Sequence, residues 1–269
     1  MCLGQLCGLG RISYIVANKP LMILEAFYMS PKGKNMNMKR VSAAICGIAM
    51  MASSVCALGA TDKAKLVERL NSASEVLTQI MQTPDKGIPD SILAGAHCVV
   101  VIPSFKKGAF VVGAQYGQGV ATCRTPRGWS APVFVQLAGG SFGFQIGGQA
   151  TDLVLVAMND QGLQAMLKNK FKIGGDAAAS AGPVGRNAQA GTDWKLNAEF
   201  LTWSRSKGLF AGIDLDGTVL SQNQDDTKTM YGDAVQFETI LKGSQPTPEE
   251  ARPFVHTVAK YFVQAKAAQ

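Results

Sequence analysis

GWSAP (Gly128–Pro132), GGSFGFQIGG (Gly139–Gly148) and AGPVGR (Ala181–Arg186) punctuate the segment from Gly128 to Arg186. Glycine recurs here inside stretches that otherwise read as strands. It weakens a strand interior unless a bend or a close backbone approach calls for it, so the spacing predicts a tightly curved sheet rather than a flat one. Around this segment the apolar pattern breaks into short runs: 98–102, 109–112, 119–124, 133–137, 142–147 and 153–158. Glycine-, proline- or lysine-bearing turns separate them, as in an antiparallel meander. Further strand signals lie at 195–206, 208–214 and 219–220, the last two joined across an Asp216-Gly217 turn.

Helical periodicity flanks the sheet. Leu66, Leu70, Ala73, Leu77 and Ile80 recur at three and four residues, which predicts an amphipathic helix over 61–82. Its polar face mixes acids and bases, so packing on the sheet is favoured over lying on a membrane. Shorter helices are expected at 160–168 and 233–241. A terminal helix opens at Thr247-Pro248-Glu249-Glu250, with a capping-box pattern and proline at its first position, and Pro253 distorts its first turns. The fold class is α+β: a curved, glycine-rich antiparallel sheet, open or closed toward a barrel, between N- and C-terminal amphipathic helices. No composition break follows residue 60, which predicts one domain over 58–269.

Residues 1–57 read differently. They carry six Lys or Arg and one acid, whereas the remainder carries 20 basic and 18 acidic side chains. The overall charge of +7 therefore belongs mainly to the N-terminus, which argues against nucleic-acid binding by the folded part. Met38-Lys39-Arg40 precedes an apolar run, and Val55-Cys56-Ala57 offers a cleavage site. The segment 36–57 reads as a signal peptide, with the true start at Met1, Met36 or Met38. Export places the protein in the periplasm or cell envelope. Cys56 leaves lipidation open. Cys98 and Cys123 remain in the mature chain, and two readings stand for them: a disulfide in an oxidising compartment, or two buried thiols.

Catalysis has no supporting set of residues. Gly139-Gly140-Ser141-Phe142-Gly143 matches G-x-S-x-G, but a nucleophile elbow needs a strand–turn–helix. Only His256 follows Ser141 in the chain. Asp214-Leu215-Asp216-Gly217 lacks the later ligands of a calcium loop and reads as a hairpin turn. No metal or cofactor is expected. Basic side chains offer more. Lys168, Lys170 and Lys172 alternate in LKNKFKIGG, which on an extended chain puts them on one side and Phe171 on the other. Lys106 and Lys107 are expected at a hairpin tip between Pro103 and Gly108, and Arg124 and Arg127 flank another turn. Such cations suit the phosphates of a lipid headgroup.

Taken together, Trp129-Ser130-Ala131-Pro132, the glycines of 139–148, Asp152-Leu153-Val154-Leu155-Val156, KFKIGGDAAASAGPVGR after Leu167 and SKGLFAGIDLDG after Ser204 resemble the SYLF, or Ysc84-type, domain family over roughly residues 60–245. The likeness is to its exported bacterial branch. The resemblance implies a non-enzymatic domain that binds anionic or phosphoinositide membranes, aided by an N-terminal amphipathic helix, and in fungal members actin. The expected headgroup contacts are Lys168, Lys170, Lys172 and Arg186, with Lys106 and Lys107 besides. An apolar helix face is expected to supply insertion, and a structural or protein-interaction module of the cell envelope is the alternative.

Overall fold

The computed structural model describes residues 62–83, 87–183, 198–206, 209–210, 213–233 and 235–267, without the side chains of 109–112, 141–147, 209–210 and 263–267. The candidate signal peptide, Cys56 and Arg186 lie outside the described residues. Helix α1 (62–81) leads to α2 (Asp90–Gly95), then to β1 (Cys98–Thr125), β2 (Gly128–Trp129) and β3 (Val133–Ala157). Next come α3 (Asp160–Leu167), β4 (Lys170–Lys172), β5 (Ala179–Ala181), β6 (Phe200–Ser206), β7 (Leu209–Phe210) and β8 (Val219–Gln222). The chain closes with α4 (Gln224–Tyr231), α5 (Phe237–Leu241), a 3-10 turn (Glu249–Ala251) and α6 (Arg252–Ala267).

The expected meander is instead one long hairpin. Six short apolar runs merge into β1 and β3, paired antiparallel from Cys98 opposite Ala157 to Ala121 opposite Val133. The register shifts between Ile102 and Phe105 and again between Ala109 and Val111. The residues that looked like turns therefore stay inside the pairing: 113–118 and 138–141 keep regular register, and the two irregularities, one extra residue on β1 at 103–104 and two extra on β3 between Gly143 and Gly147, bend the strands without ending them. Pro103-Ser104 is the first of these, and Ser104 takes a positive φ of 53°. Lys106 and Lys107 consequently lie within a strand, opposite Ala150 and Gln149, and not at a hairpin tip. Asp216-Gly217 is a tight turn with Gly217 at φ 80°, but no hairpin spans it. β7 pairs with β6, whereas β8 pairs with β3 and β4.

The hairpin folds back until the two ends of β1 meet. Arg124 N–H donates to the His97 carbonyl at 2.7 Å. Cys98 and Cys123, 25 residues apart on the same strand, form a disulfide with Cα atoms 3.9 Å apart. Two glycines permit this approach. A Cβ on Gly119 would fall against the Val101 carbonyl oxygen and 2.9 Å from Ile102 Cα, and one on Gly117 would fall 3.2 Å from Phe105 Cα.

Curling gives the sheet two cores. On one face Val99, Val101, Val120, Phe134, Val154, Val156 and Trp203 pack against α1, α2 and α6. The other face, inside the curl, holds Cys98, Val100, Ile102, Cys123, Val135, Leu155 and Phe171, among others. Phe171 there stacks on Phe200 at 5.2 Å. The stripe of α1 (Leu66, Leu70, Ala73, Val76, Leu77, Ile80) and that of α6 (Phe254, Val258, Phe262) are fully buried in the first core. These apolar helix faces are thus occupied, and the expected insertion through one of them is not available in this fold. No helix among the described residues is long and apolar enough to cross a membrane.

Local chemistry accounts for elements that periodicity missed. α4 starts where the Asn223 side chain accepts from Asp226 N–H, with Asp225 and Asp226 in its first turn. The helix expected over 233–241 contracts to α5. Pro253 holds the start of the last helix as a 3-10 turn, whose N-cap makes no side-chain hydrogen bond, so the capping box expected at Thr247 is not formed.

Replacing Gly119 with alanine should cost about 2 kcal/mol or more through overpacking. Gly108→Ala meets nothing within 4 Å and should change stability by less than about 0.5 kcal/mol. Urea denaturation compares the two. Converting both Cys98 and Cys123 to serine should lower stability by about 3.5 kcal/mol, the chain-entropy value for a loop of this length.

Candidate functional site

Register across the sheet assembles the site. Lys170 pairs with Ser221, Ser221 with Gln136, and Gln136 with Gln118. Two residues along, Lys172, Val219, Ala138 and Tyr116 form a parallel row. Side chains in register share a face, and those between them point the opposite way. The intervening row of Phe171, Leu220, Leu137 and Gly117 is buried. The Lys170 and Lys172 rows therefore lie on the helix-covered face of the sheet, beyond the edge of the helices. This open window spans β4, β8, β3 and β1, three strand spacings or about 14 Å.

A salt link marks where helix cover ends. Arg69 on α1 pairs with Asp226 on α4, donates to Gln118 Oε1 at 2.8 Å and lies 5.8 Å from the centre of the Phe134 ring. Asp226 also accepts from Asn223 Nδ2 at 2.6 Å. Past this link no described helix covers the sheet, and Tyr116, 45% exposed, is the exposed large apolar side chain among the described residues. Between α1 and the folded-back β1 lies a cleft of about 300 Å³ lined by Lys65, Glu68, Ser72, Ser104, Lys106 and Tyr116, with Arg69 and Gln118 at its base.

The sequence-derived residues divide into three groups. Lys170 and Lys172 are exposed on β4 with Phe171 buried between them, and Lys168 is exposed at the C-cap of α3. None of the three ammonium groups has an acidic partner among the described residues. Lys106 belongs to the cleft at the far end of the window, whereas Lys107, the next residue on the strand, is half-buried and does not line it. Arg124 and Arg127 have structural duties instead. Arg124 donates to the carbonyls of Ala96 (3.0 Å) and Leu93 (3.2 Å) and lies 5.0 Å from the centre of the Trp129 ring. Burial lowers its pKa. Arg127 donates to the Gly243 carbonyl at 2.8 Å.

Ser141 stands in the body of β3, its backbone opposite Gly113, so the strand–turn–helix of a nucleophile elbow is not formed there. His256 is exposed on α6. His97 sits with Nδ1 3.4 Å from Asp160 Oδ1, a structural contact. Sequence reasoning missed Tyr116, Glu68 and Ser72 as site residues. Alternation along β1 places Tyr116 with Gln118, but only the fold-back of β1 brings both beside Lys106.

Residues 138–261 match the sequence model of the Ysc84 family, described as "Las17-binding protein actin regulator". Over that span the chain is similar to the Ysc84 family. It is 35% identical over 170 residues to the rat SH3 domain-containing YSC84-like protein 1, covering 62% of this chain and 50% of that one. The human protein of the same name is 34% identical over 170 residues, 62% of this chain and 49% of its own. Protein YSC84 of Saccharomyces cerevisiae is 30% identical over 175 residues, 64% of this chain and 37% of its own. The chain thus spans about half the length, or less, of these curated relatives. Ysc84 is a family of binding and regulatory domains. Its matched span contains the β4 lysines and α4, but neither α1 nor β1.

Arg69→Met should cost about 1–3 kcal/mol, because it strands a half-buried Asp226. Pairing it with Asp226→Asn should cost less than the sum of the single changes. A double-mutant cycle under urea denaturation measures that coupling.

Proposed function

We propose that this Ysc84-like domain is a non-enzymatic module that docks on anionic membrane surfaces through the uncovered window of its sheet. One observation carries the reading: Lys168, Lys170 and Lys172 stand exposed and without an acidic partner among the described residues, anchored by a buried Phe171 that fixes the direction of β4. A short strand held by packing presents its charges without first having to order them, which limits the entropy lost on binding. Each lysine near an anionic bilayer contributes about 1 kcal/mol. The folded part is almost neutral, so adhesion rests on this local array and not on a general field. Arg186 belongs to the same proposal by its place in the sequence. The buried stripes of α1 and α6 favour adsorption through headgroups over helix insertion.

We further propose that the domain works outside the cytoplasm, after export by the signal-peptide segment 36–57. The Cys98–Cys123 disulfide supports that placement, because such bonds persist in oxidising compartments.

A second reading, binding to actin filaments, is favoured by the family description and by the names of the relatives. Co-sedimentation separates the two. The domain should pellet with vesicles of phosphatidylglycerol and phosphatidylcholine but not with phosphatidylcholine alone. Lys168→Glu, Lys170→Glu and Lys172→Glu combined should weaken that binding by about 100-fold or more and flatten its salt dependence. Vesicle binding that the triple change leaves intact rejects the β4 array. Pelleting with actin filaments but not with anionic vesicles replaces the membrane reading by the second.

A further inference from the structure

The cleft between α1 and β1 lies at the end of the window opposite the β4 lysines, and its charges are unevenly committed. Arg69 is tied to Asp226 and Gln118. Lys65 pairs with Asp62 at 3.1 Å. Lys106 is left as the lining cation without an acidic partner among the described residues, while Glu68 contributes a carboxylate to the same wall. The hydroxyls of Ser72, Ser104 and Tyr116 line it too, and none of them has a hydrogen-bond partner among the described residues.

Ser104 is also the one non-glycine residue among the described ones with positive φ. Its backbone N–H is held by Asp152 Oδ1 at 3.1 Å, and Asp152 is in turn 3.5 Å from Arg205. A bulge pinned in a sparsely populated conformation turns the strand so that it forms one wall of the cleft. Such pinning is a recurrent feature of ligand clamps.

We propose that this cleft binds a single phosphodiester of charge −1, the phosphate resting on Lys106 with hydroxyl donors around it. Glu68 and the neutralised Arg69 weigh against polyphosphorylated ligands, for which one free ammonium is too little compensation. This inference deepens the membrane reading and rests on it for the source of the ligand, a phospholipid headgroup. The same chemistry belongs to a free glycerophosphodiester, and the test separates the two.

Soluble sn-glycero-3-phosphoglycerol and inositol 1,4,5-trisphosphate are titrated separately into the full chain, followed by NMR of backbone amides. Binding of the full chain and of the variants below to phosphatidylglycerol vesicles is measured in parallel. The glycerophosphodiester should shift Ser72, Ser104 and Tyr116. Lys106→Ala should weaken that binding about tenfold, the loss of one charge-assisted hydrogen bond, whereas Lys170→Glu with Lys172→Glu should change it by less than about twofold, since those residues lie beyond a Debye length. Ser72→Ala, which leaves the strand untouched, should reduce it in the same direction as Lys106→Ala. Shifts in the cleft together with vesicle binding sensitive to Lys106→Ala support a membrane source. Shifts in the cleft without any vesicle binding keep the cleft and assign it to a free phosphodiester, which overturns the membrane reading. Vesicle binding that depends on the β4 lysines but not on Lys106 or Ser72, with no shifts in the cleft, overturns the cleft and leaves the membrane reading standing. Tighter binding of the trisphosphate at the same residues overturns the single-charge assignment.

Discussion

The close passage of β1 over itself is the constraint on which the rest of the molecule depends. A strand of 28 residues running straight would extend about 90 Å and could not enclose a core. Here Gly117 and Gly119 remove the side chains that would hold the two limbs apart, and Cys98–Cys123 closes the loop. The disulfide acts chiefly on the unfolded chain, while the glycines act on the folded one. Neither substitutes for the other. A staple without room for the backbones would store strain, and room without a staple would leave a long non-local contact to form unaided.

Once curled, the sheet has an inside and an outside, and the helices cover only part of the outside. α1, α2 and α6 lie over the region of Val99, Val120 and Phe134 and stop at the Arg69–Asp226 link. Where they stop, the residues along the same strands change from apolar to polar: Phe134 gives way to Gln136, and Val120 to Gln118. The composition of the sheet face thus changes at the edge of its cover. An apolar window there would be an aggregation hazard. The observed one is polar and cationic, with Tyr116 as its exposed aromatic, a composition suited to a hydrated, charged partner.

Much of this was legible in the sequence, for identifiable reasons. The α1 stripe, the alternation of Lys170, Phe171 and Lys172 and the demand of the glycine run for curvature are all local signals, and the folded chain keeps each of them. What stayed hidden depends on contacts between distant residues. Pro103-Ser104 carries the same composition in a bulge as in a turn, so β1 looked like three strands. Asn223 with Asp225 and Asp226 was a readable helix start, but α4 is too short and polar for periodicity to reveal it. The cleft was beyond sequence reasoning. Its walls come from α1 and from two limbs of one strand, and no spacing along the chain relates Ser72 to Lys106.

The electrostatics of the window follow from how little net charge the folded part carries. With 20 basic and 18 acidic side chains after residue 57, long-range steering is weak, and any attraction must come from cations left without partners. Among the described residues the β4 lysines and Lys106 are such cations, separated across the window by more than a Debye length at 0.1 M salt, about 10 Å. In solution they act almost independently, so on the proposed reading a small anion engages one site or the other. A bilayer is wide enough to meet both at once, and the second contact then forms at high effective concentration with no further loss of translational freedom. The same arrangement that makes each site weak for a soluble ligand thereby favours an extended anionic surface, and it does so without any apolar element leaving the core.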